Sequence, residues 1–211
     1  MTRIIGFTGP AGSGKTTLAT SLKKELEKGK TLMEMRIDIC PFAYPLKTAL
    51  KFLFNFSNNQ LYTLEGKEDV DPRWGVSPRK VMQAFGTEFI RKIVPGFWVL
   101  HMKMTIEKYH NADYILIDDV RFSDEAAMVR ELGGVIVHIL GRKQGKATLD
   151  ISLIDPHASE QPLPILSGDL SWLNNQEGPS PLDIKNLTET IDLAFTENKS
   201  QPKMSHTNNQ D

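Results

Sequence analysis

Gly9-Pro10-Ala11-Gly12-Ser13-Gly14-Lys15-Thr16 matches G-x-x-x-x-G-K-[ST] in full, and no other stretch constrains this chain as strongly. Its context is the one the motif's mechanics require. Arg3 to Thr8 is a β-branched, nearly unbroken apolar run, the pattern of a strand covered on both faces. Thr16 to Glu27 reads as an amphipathic helix with Leu18, Leu22 and Leu26 in step. Between them the glycines let successive backbone N–H groups turn inward on a phosphate chain, and the helix adds its positive N-terminal dipole. Gly9, Ala11, Gly12, Ser13, Gly14, Lys15, Thr16 and Thr17 are therefore the expected nucleotide-phosphate site. Lys15 would reach the outer phosphates, and the Thr16 hydroxyl would ligate Mg²⁺.

The rest of the chain alternates in the same manner. A second strand is expected near Met33–Ile39, and Pro45 starts a helix carrying Leu46, Leu50 and Leu53. Residues 57–76 are polar and aperiodic, a loop with helical pieces. Ser77-Pro78 starts a helix running to about Val94. Tyr114–Ile117 is a buried strand, Ser123 caps a helix over 123–132, and Val135–Leu140 is a further strand. That order predicts an α/β fold, a parallel sheet with helices on both faces. Residues 142–185 change character, basic and then rich in Pro, Gly, Ser and Asn. The polar part, about 142–170, is the natural lid over a site at the sheet's edge. A late helix is expected at 186–195, and residues 196–211 read as a disordered polar tail. Residues 1–195 are expected to form one domain.

Twenty-five basic against 26 acidic residues give a net charge of −1. Bulk electrostatics thus offer no attraction to nucleic acid or an anionic membrane, and any anion must be held locally. No apolar run reaches the ~20 residues of a membrane helix. One cysteine, Cys40, excludes an intramolecular disulfide and suits a reducing cytoplasm.

Asp118-Asp119 closes a predicted strand at its carboxyl end, where open α/β sheets bind ligands. At least one of the pair is expected to serve the metal or the nucleophile, and the other to cap the turn; the sequence leaves open which does which. On the helix after Pro78, residues advance about 100° each, so Arg79, Gln83, Thr87 and Arg91 share one face and Val81, Phe85, Phe89 and Ile93 the other. Guanidiniums suit phosphate and an amide can read a base edge, although a solvated face would show the same pattern. Trp74 and Trp98 read first as core residues and second as base-stacking platforms.

These pieces occur in a fixed order: the phosphate loop, Pro45-Leu46-Lys47, Ser77-Pro78-Arg79, Gln83, Gly86-Thr87, Arg91 and Trp98. Asp118-Asp119-Val120-Arg121-Phe122 with Glu125 follows, and then His157-Ala158-Ser159-Glu160. Together, over about residues 3–175, they resemble the deoxynucleoside monophosphate kinase family best known from tailed phages. The resemblance implies a P-loop kinase fold with a nucleotide-monophosphate-binding region (about 42–110) and a lid, and phosphoryl transfer from ATP, with Mg²⁺, to a deoxynucleoside monophosphate. It implies that Arg79, Gln83 and Arg91 lie against the acceptor, with Asp38, Lys47, Trp74 and Thr87 beside it. Arg121 and Arg142 would stand near the transferring phosphate, and Ser159 and Glu160 in the lid. His157 is expected to hydrogen-bond within the lid rather than bind metal. The implied partners are small nucleotides, with neither nucleic acid nor membrane, in a cytoplasm (a host's, for a phage protein); a homodimer is compatible. Two other readings stand beside this one. A P-loop kinase for another phosphorylated acceptor, of the phosphomevalonate or dephospho-coenzyme A type, would use the same donor site. A regulatory or assembly NTPase would hydrolyse NTP with no acceptor at all.

Overall fold

The computed structural model describes residues 2–31, 34–109, 111–140, 157–174 and 178–200. Its centre is β1 (Arg3–Thr8), flanked by β3 (Tyr114–Ile117) and β4 (Val135–Leu140). With β2 (Ile37–Ile39) and β5 (Leu170–Leu173) the sheet runs β2-β3-β1-β4-β5, every pairing parallel. Both faces are covered, which is why these strands read as continuous apolar runs.

Alternate strand residues feed two cores. Ile5, Phe7, Leu116 and Val137 pack with Leu18 and Leu22 of α1 (Lys15–Leu26) and with Ile184, Leu187 and Ile191 of α9 (Pro181–Ser200). Ile4, Ile115, Ile117 and Ile136 pack with Met102 of α7 (Phe97–Lys108) and with Met128 and Val129 of α8 (Ser123–Glu131). Each fully buried side chain of this size stabilises the fold by about 1.5–3 kcal/mol. Gly6 leaves room for the neighbouring strand, since a Cβ there would lie 2.7 Å from the Cδ1 of Ile136 on β4.

The chain between β2 and β3 is helical and has its own small core of Leu50, Phe56, Leu61 and Val81. It comprises α2 (Tyr44–Phe54), α3 (Asn58–Tyr62), α4 (Leu64–Glu68), α5 (Pro78–Gln83) and α6 (Arg91–Ile93), with a π-helical stretch over Ala84–Ile90 joining the last two. Ser57 and Gln60 cap α3 reciprocally, and the Thr63 hydroxyl accepts the Gly66 N–H to start α4.

Several expected boundaries move. β2 is three residues long, and Met33 lies outside the described residues. Leu53 is 63% exposed while Leu50 is buried, so α2 buries a narrower stripe than its leucines suggest. The π stretch closes i→i+5 bonds and delays the following side chains. Phe89 and Ile93, whose apolar face with Val81 and Phe85 is expected to pack inward, are consequently exposed. Ser123 is the first helical residue of α8, with Phe122 at the cap position. Within 142–185, where no strand was expected, β5 pairs with β4. The last helix runs from Pro181 to Ser200, longer at both ends than 186–195. Ser180 and Asp183 cap each other reciprocally at its start, and residues 201–211 lie outside the description. No helix among the described residues is long and apolar enough to cross a membrane.

Candidate active site

The loop between β1 and α1 opens onto a cleft of about 630 Å³ beyond the carboxyl ends of β1, β2 and β3, within the size range of small-ligand sites. Two glycines are required by its shape. Gly9 has φ 147°, and a Cβ there would lie 2.7 Å from the Ile139 carbonyl oxygen. Gly14, at the cap of α1, has φ 95°, and its Cβ would lie 2.9 Å from the Asn174 Nδ2. Asn174 follows β5 and donates to the Ser13 carbonyl at 2.6 Å, tying the last strand to the loop. The Lys15 Nζ donates to the Gly9 and Pro10 carbonyls, both at 2.7 Å. Ala11, Gly12, Gly14, Lys15, Thr16 and Thr17 line the cleft, whereas Gly9 and Ser13 shape the loop from behind.

The two aspartates after β3 differ. Asp119 accepts the Phe42 N–H at 2.7 Å and the Ala43 N–H at 2.9 Å, one with each oxygen, and so anchors the turn from β2 into α2. Burial, and then Asp118, push the Asp119 carboxyl up. Asp118 is buried, faces the cleft, and accepts no hydrogen bond from any described residue.

The opposite wall carries cations. Lys47 lies with its Nζ 4.2 Å from the Tyr62 ring centroid, its ammonium lowered by burial. Arg79 pairs with Glu68. Arg121 donates to the Ser159 carbonyl at 3.4 Å. Lys67 also faces the cleft; burial, followed by Lys47, Arg79, Arg121 and Lys15, brings its ammonium down to about 8. Gln83, Gly86 and Thr87 supply a polar strip on this wall, backed by Trp98, whose Nε1 donates to the Gly86 carbonyl at 2.9 Å.

Arg91 lines the cleft but is already engaged. Its guanidinium holds Asp124 at 2.5 Å and Glu125 at 2.7 Å and lies 3.8 Å from the Phe122 ring centroid. Glu125 accepts the Arg121 N–H at 2.8 Å and the Phe122 N–H at 3.2 Å, and burial pushes its carboxyl up to about 8. Arg91 and Glu125 together therefore fix the backbone that presents Arg121.

Of the expected site residues, the structure gathers Lys15, Thr16, Lys47, Arg79, Gln83, Thr87, Arg91, Asp118, Asp119, Arg121 and Ser159 around one cleft. Trp74 and Asp38 lie away from it. Trp74 is half exposed, its Nε1 donating to the Phe54 carbonyl at 2.9 Å, and Asp38 accepts from the Arg36 Nε at 2.9 Å. The His157 Nδ1 and the Ser159 Oγ lie 2.8 Å apart. Arg142 and the Glu160 side chain lie outside the description. Lys67 and Tyr62 escaped the sequence reading because their segment has no periodicity. Glu125 was part of the motif pattern but had no role there, because only the approach of Arg91 distinguishes it from an ordinary first-turn acid.

A parallel sheet in this order, with the phosphate-binding loop opening on a cation-lined cleft, defines an α/β P-loop kinase fold. The model of the deoxynucleotide monophosphate kinase family matches residues 54–183. A putative deoxynucleotide monophosphate kinase of Acanthamoeba polyphaga mimivirus is 36% identical, the match covering 82% of this chain and 89% of that one. The chain belongs to the deoxynucleotide monophosphate kinase family. A deoxynucleoside-5'-monophosphate kinase of Escherichia phage T5 is 31% identical over 52% of this chain and 44% of its own length. An unliganded sugar kinase from Janibacter sp. has a TM-score of 0.44 at 14% identity, covering 93% of this chain and 98% of that one.

Proposed function

We propose that this nucleotide kinase transfers the γ-phosphoryl group of ATP to the phosphate of a deoxynucleoside 5′-monophosphate, releasing ADP and the deoxynucleoside diphosphate. The observation that carries the reading is the continuity of the cleft. The phosphate loop and the wall of Arg79, Gln83 and Thr87 border the same space, so donor and acceptor phosphates can meet in it.

An acceptor phosphate oxygen attacks the γ-phosphorus, the new P–O bond forms as the bond to the β-phosphate oxygen breaks, and ADP leaves with the electron pair. A phosphate monoester has a second pKa of about 6, so the nucleophile is already anionic at neutral pH and no strong general base is needed. Catalysis is then positioning and charge neutralisation. Lys15 exchanges its two carbonyl contacts for the donor phosphates, and Arg121, fixed through Glu125, faces the group in transfer. By the family resemblance, Arg142 is a further candidate for that phosphate, and Ser159 and Glu160 for the lid of about residues 142–170. Arg79 takes the acceptor phosphate, and Gln83 with Thr87 reads the base edge.

The Thr16 hydroxyl and the Asp118 carboxylate fit Mg²⁺. Both are hard oxygen donors on the cleft, and Mg²⁺ is commonly held by one or two carboxylates together with substrate phosphates. When bound there, Mg²⁺ supplies neutralisation of the phosphate oxygens. Asp119, whose two oxygens are occupied by backbone N–H groups, serves the β2–α2 turn. The helical region of about 42–110 is the acceptor-binding part of one domain, whose last helix carries it to Ser200 rather than ending it at 195 with a tail from 196. The balanced charge and the single buried cysteine suit a cytoplasmic enzyme acting on small nucleotides.

The test is ADP release with MgATP and each deoxynucleoside or ribonucleoside monophosphate in turn, for the wild type, Lys15→Ala and Arg79→Ala. Release that requires a monophosphate and collapses in both variants supports the reading. Slow release indifferent to every monophosphate rejects it.

A further inference from the structure

The cations lining the cleft are not equivalent. Lys15 is bonded to loop carbonyls, Lys47 lies over Tyr62, Arg79 pairs with Glu68, Arg91 with Asp124 and Glu125, and Arg121 reaches the Ser159 carbonyl. Lys67 makes no hydrogen bond or ion pair with any described residue, although it lines the same cleft and is partly buried. A partly desolvated ammonium among like charges is unfavourable unless an anion completes it.

Its mounting is firm. A Cβ at Gly66 would lie 2.5 Å from the Asn59 carbonyl oxygen, so α4 packs directly on α3. Asp71, just beyond α4, accepts from the Gln60 Nε2 at 2.7 Å and the Arg73 NH2 at 2.6 Å. Lys67 is thus presented on a braced segment.

We infer that Lys67 binds the phosphate of the monophosphate acceptor, as a point charge beside the Arg79 guanidinium. The inference rests on the proposed function. It goes to the acceptor rather than the donor because Glu68, the next residue on α4, pairs with Arg79, which puts Lys67 on the wall that carries Arg79. Such a site selects a terminal phosphate dianion, and so distinguishes a nucleoside monophosphate from a nucleoside.

The charged and titratable groups around Lys67 are Lys47 on α2, Tyr62 on α3, Glu68 on its own helix, Arg79 on α5, Arg121 after β3, Lys15 on α1 and the carboxylates Asp118 and Asp119. With the Lys67 ammonium brought down to about 8 in the free enzyme, acceptor binding above that pH must also take up a proton and is weakened accordingly.

The experiment is steady-state kinetics for the wild type, Lys67→Met and Lys67→Arg over pH 6.5–9.5, with circular dichroism of each. Lys67→Met is expected to raise KM for the monophosphate roughly 10- to 100-fold, as for a lost hydrogen bond to a charged group, with KM for MgATP changed by less than about threefold. Wild-type KM for the monophosphate should climb above pH 8. Lys67→Arg, which keeps its charge, should hold KM flat there, separating Lys67 from Lys47. A KM for the monophosphate that ignores residue 67, a change confined to MgATP, or the same pH rise in Lys67→Arg overturns the inference while leaving the kinase intact. If Lys67→Met does not fold, the Lys67→Arg profile decides alone. A wild type without monophosphate-dependent ADP release overturns both this inference and the function beneath it.

Discussion

Gly66→Ala tests whether the packing of two five-residue helices governs the chemistry of the cleft. Gly66 is buried where α4 meets α3, and an added Cβ would lie 2.5 Å from the Asn59 carbonyl oxygen, against 3.4 Å for the start of ordinary contact. The obstacle is backbone, so α4 must retreat by about 0.9 Å, carrying Lys67 with it. Alanine gains about 1 kcal/mol of helix propensity over glycine, and overpacking costs about 1–3 kcal/mol. The balance is a loss of up to about 2 kcal/mol, a fall in Tm of up to about 8 °C in a chain of this length. The functional loss should be larger, because a displacement near 1 Å can lower the rate about 100-fold. Steady-state kcat/KM for the monophosphate, KM for MgATP and a thermal melt would be measured together. Unchanged melting with kcat/KM within about threefold of wild type would refute the reasoning, since α4 would then have room that the geometry denies it.

Three further outcomes are expected. Asp169 has a side chain only 2% exposed and accepts from Arg130 at 2.7 and 2.9 Å and from the Leu166 N–H at 2.9 Å, with the His138 Nε2 also 2.9 Å away. Asp169→Ala should therefore cost about 3–5 kcal/mol, or about 6–20 °C in Tm at pH 7. Burial opposes the Asp169 charge but its partners outweigh it and lower the carboxyl, so this stability is present above the ordinary carboxylate range and lost as pH falls through the depressed value. Melts from pH 7 to pH 3 should show the wild-type advantage shrinking, and a gap that widens on acidification would contradict the assignment. Asp118→Asn should raise the Mg²⁺ concentration for half-maximal rate at least about tenfold with Tm nearly unchanged, and a normal Mg²⁺ titration would move the metal role elsewhere. Cys40 is buried, with its thiol pushed up to about 11, so iodoacetamide at pH 8 should leave the native protein unmodified; rapid alkylation would place Cys40 at the surface.

The framework was legible because it depends on local pattern. Ile4–Phe7, Ile115–Ile117 and Val135–Ile139 are buried from both sides, and such strands announce themselves as apolar runs bounded by Gly or Asp. The phosphate loop was legible because its backbone shape demands glycine at fixed spacing. β5 was not, since Leu170-Ser171-Trp172-Leu173 is an edge strand of mixed exposure inside a Pro- and Ser-rich stretch. The wall of Arg79, Gln83 and Thr87 was foreseen, but the exposure of Phe89 and Ile93 was not, because a π-helical insertion alters a phase that periodicity takes to be constant. Arg91 and Glu125 sit 34 positions apart in sequence, and their ion pair exists only in the folded chain. The place of Lys67 depends on α3 and α4 folding against each other in a segment with no hydrophobic period.

The most direct measurement follows the phosphoryl group itself. ATP labelled at the γ-phosphate would be incubated with Mg²⁺, the protein and a deoxynucleoside monophosphate, and the products separated by thin-layer chromatography. Label recovered in the deoxynucleoside diphosphate, and absent from it with Lys15→Ala, is the predicted result. Label released as inorganic phosphate at the same rate with and without the monophosphate would contradict the transfer reaction and leave an ATPase in its place.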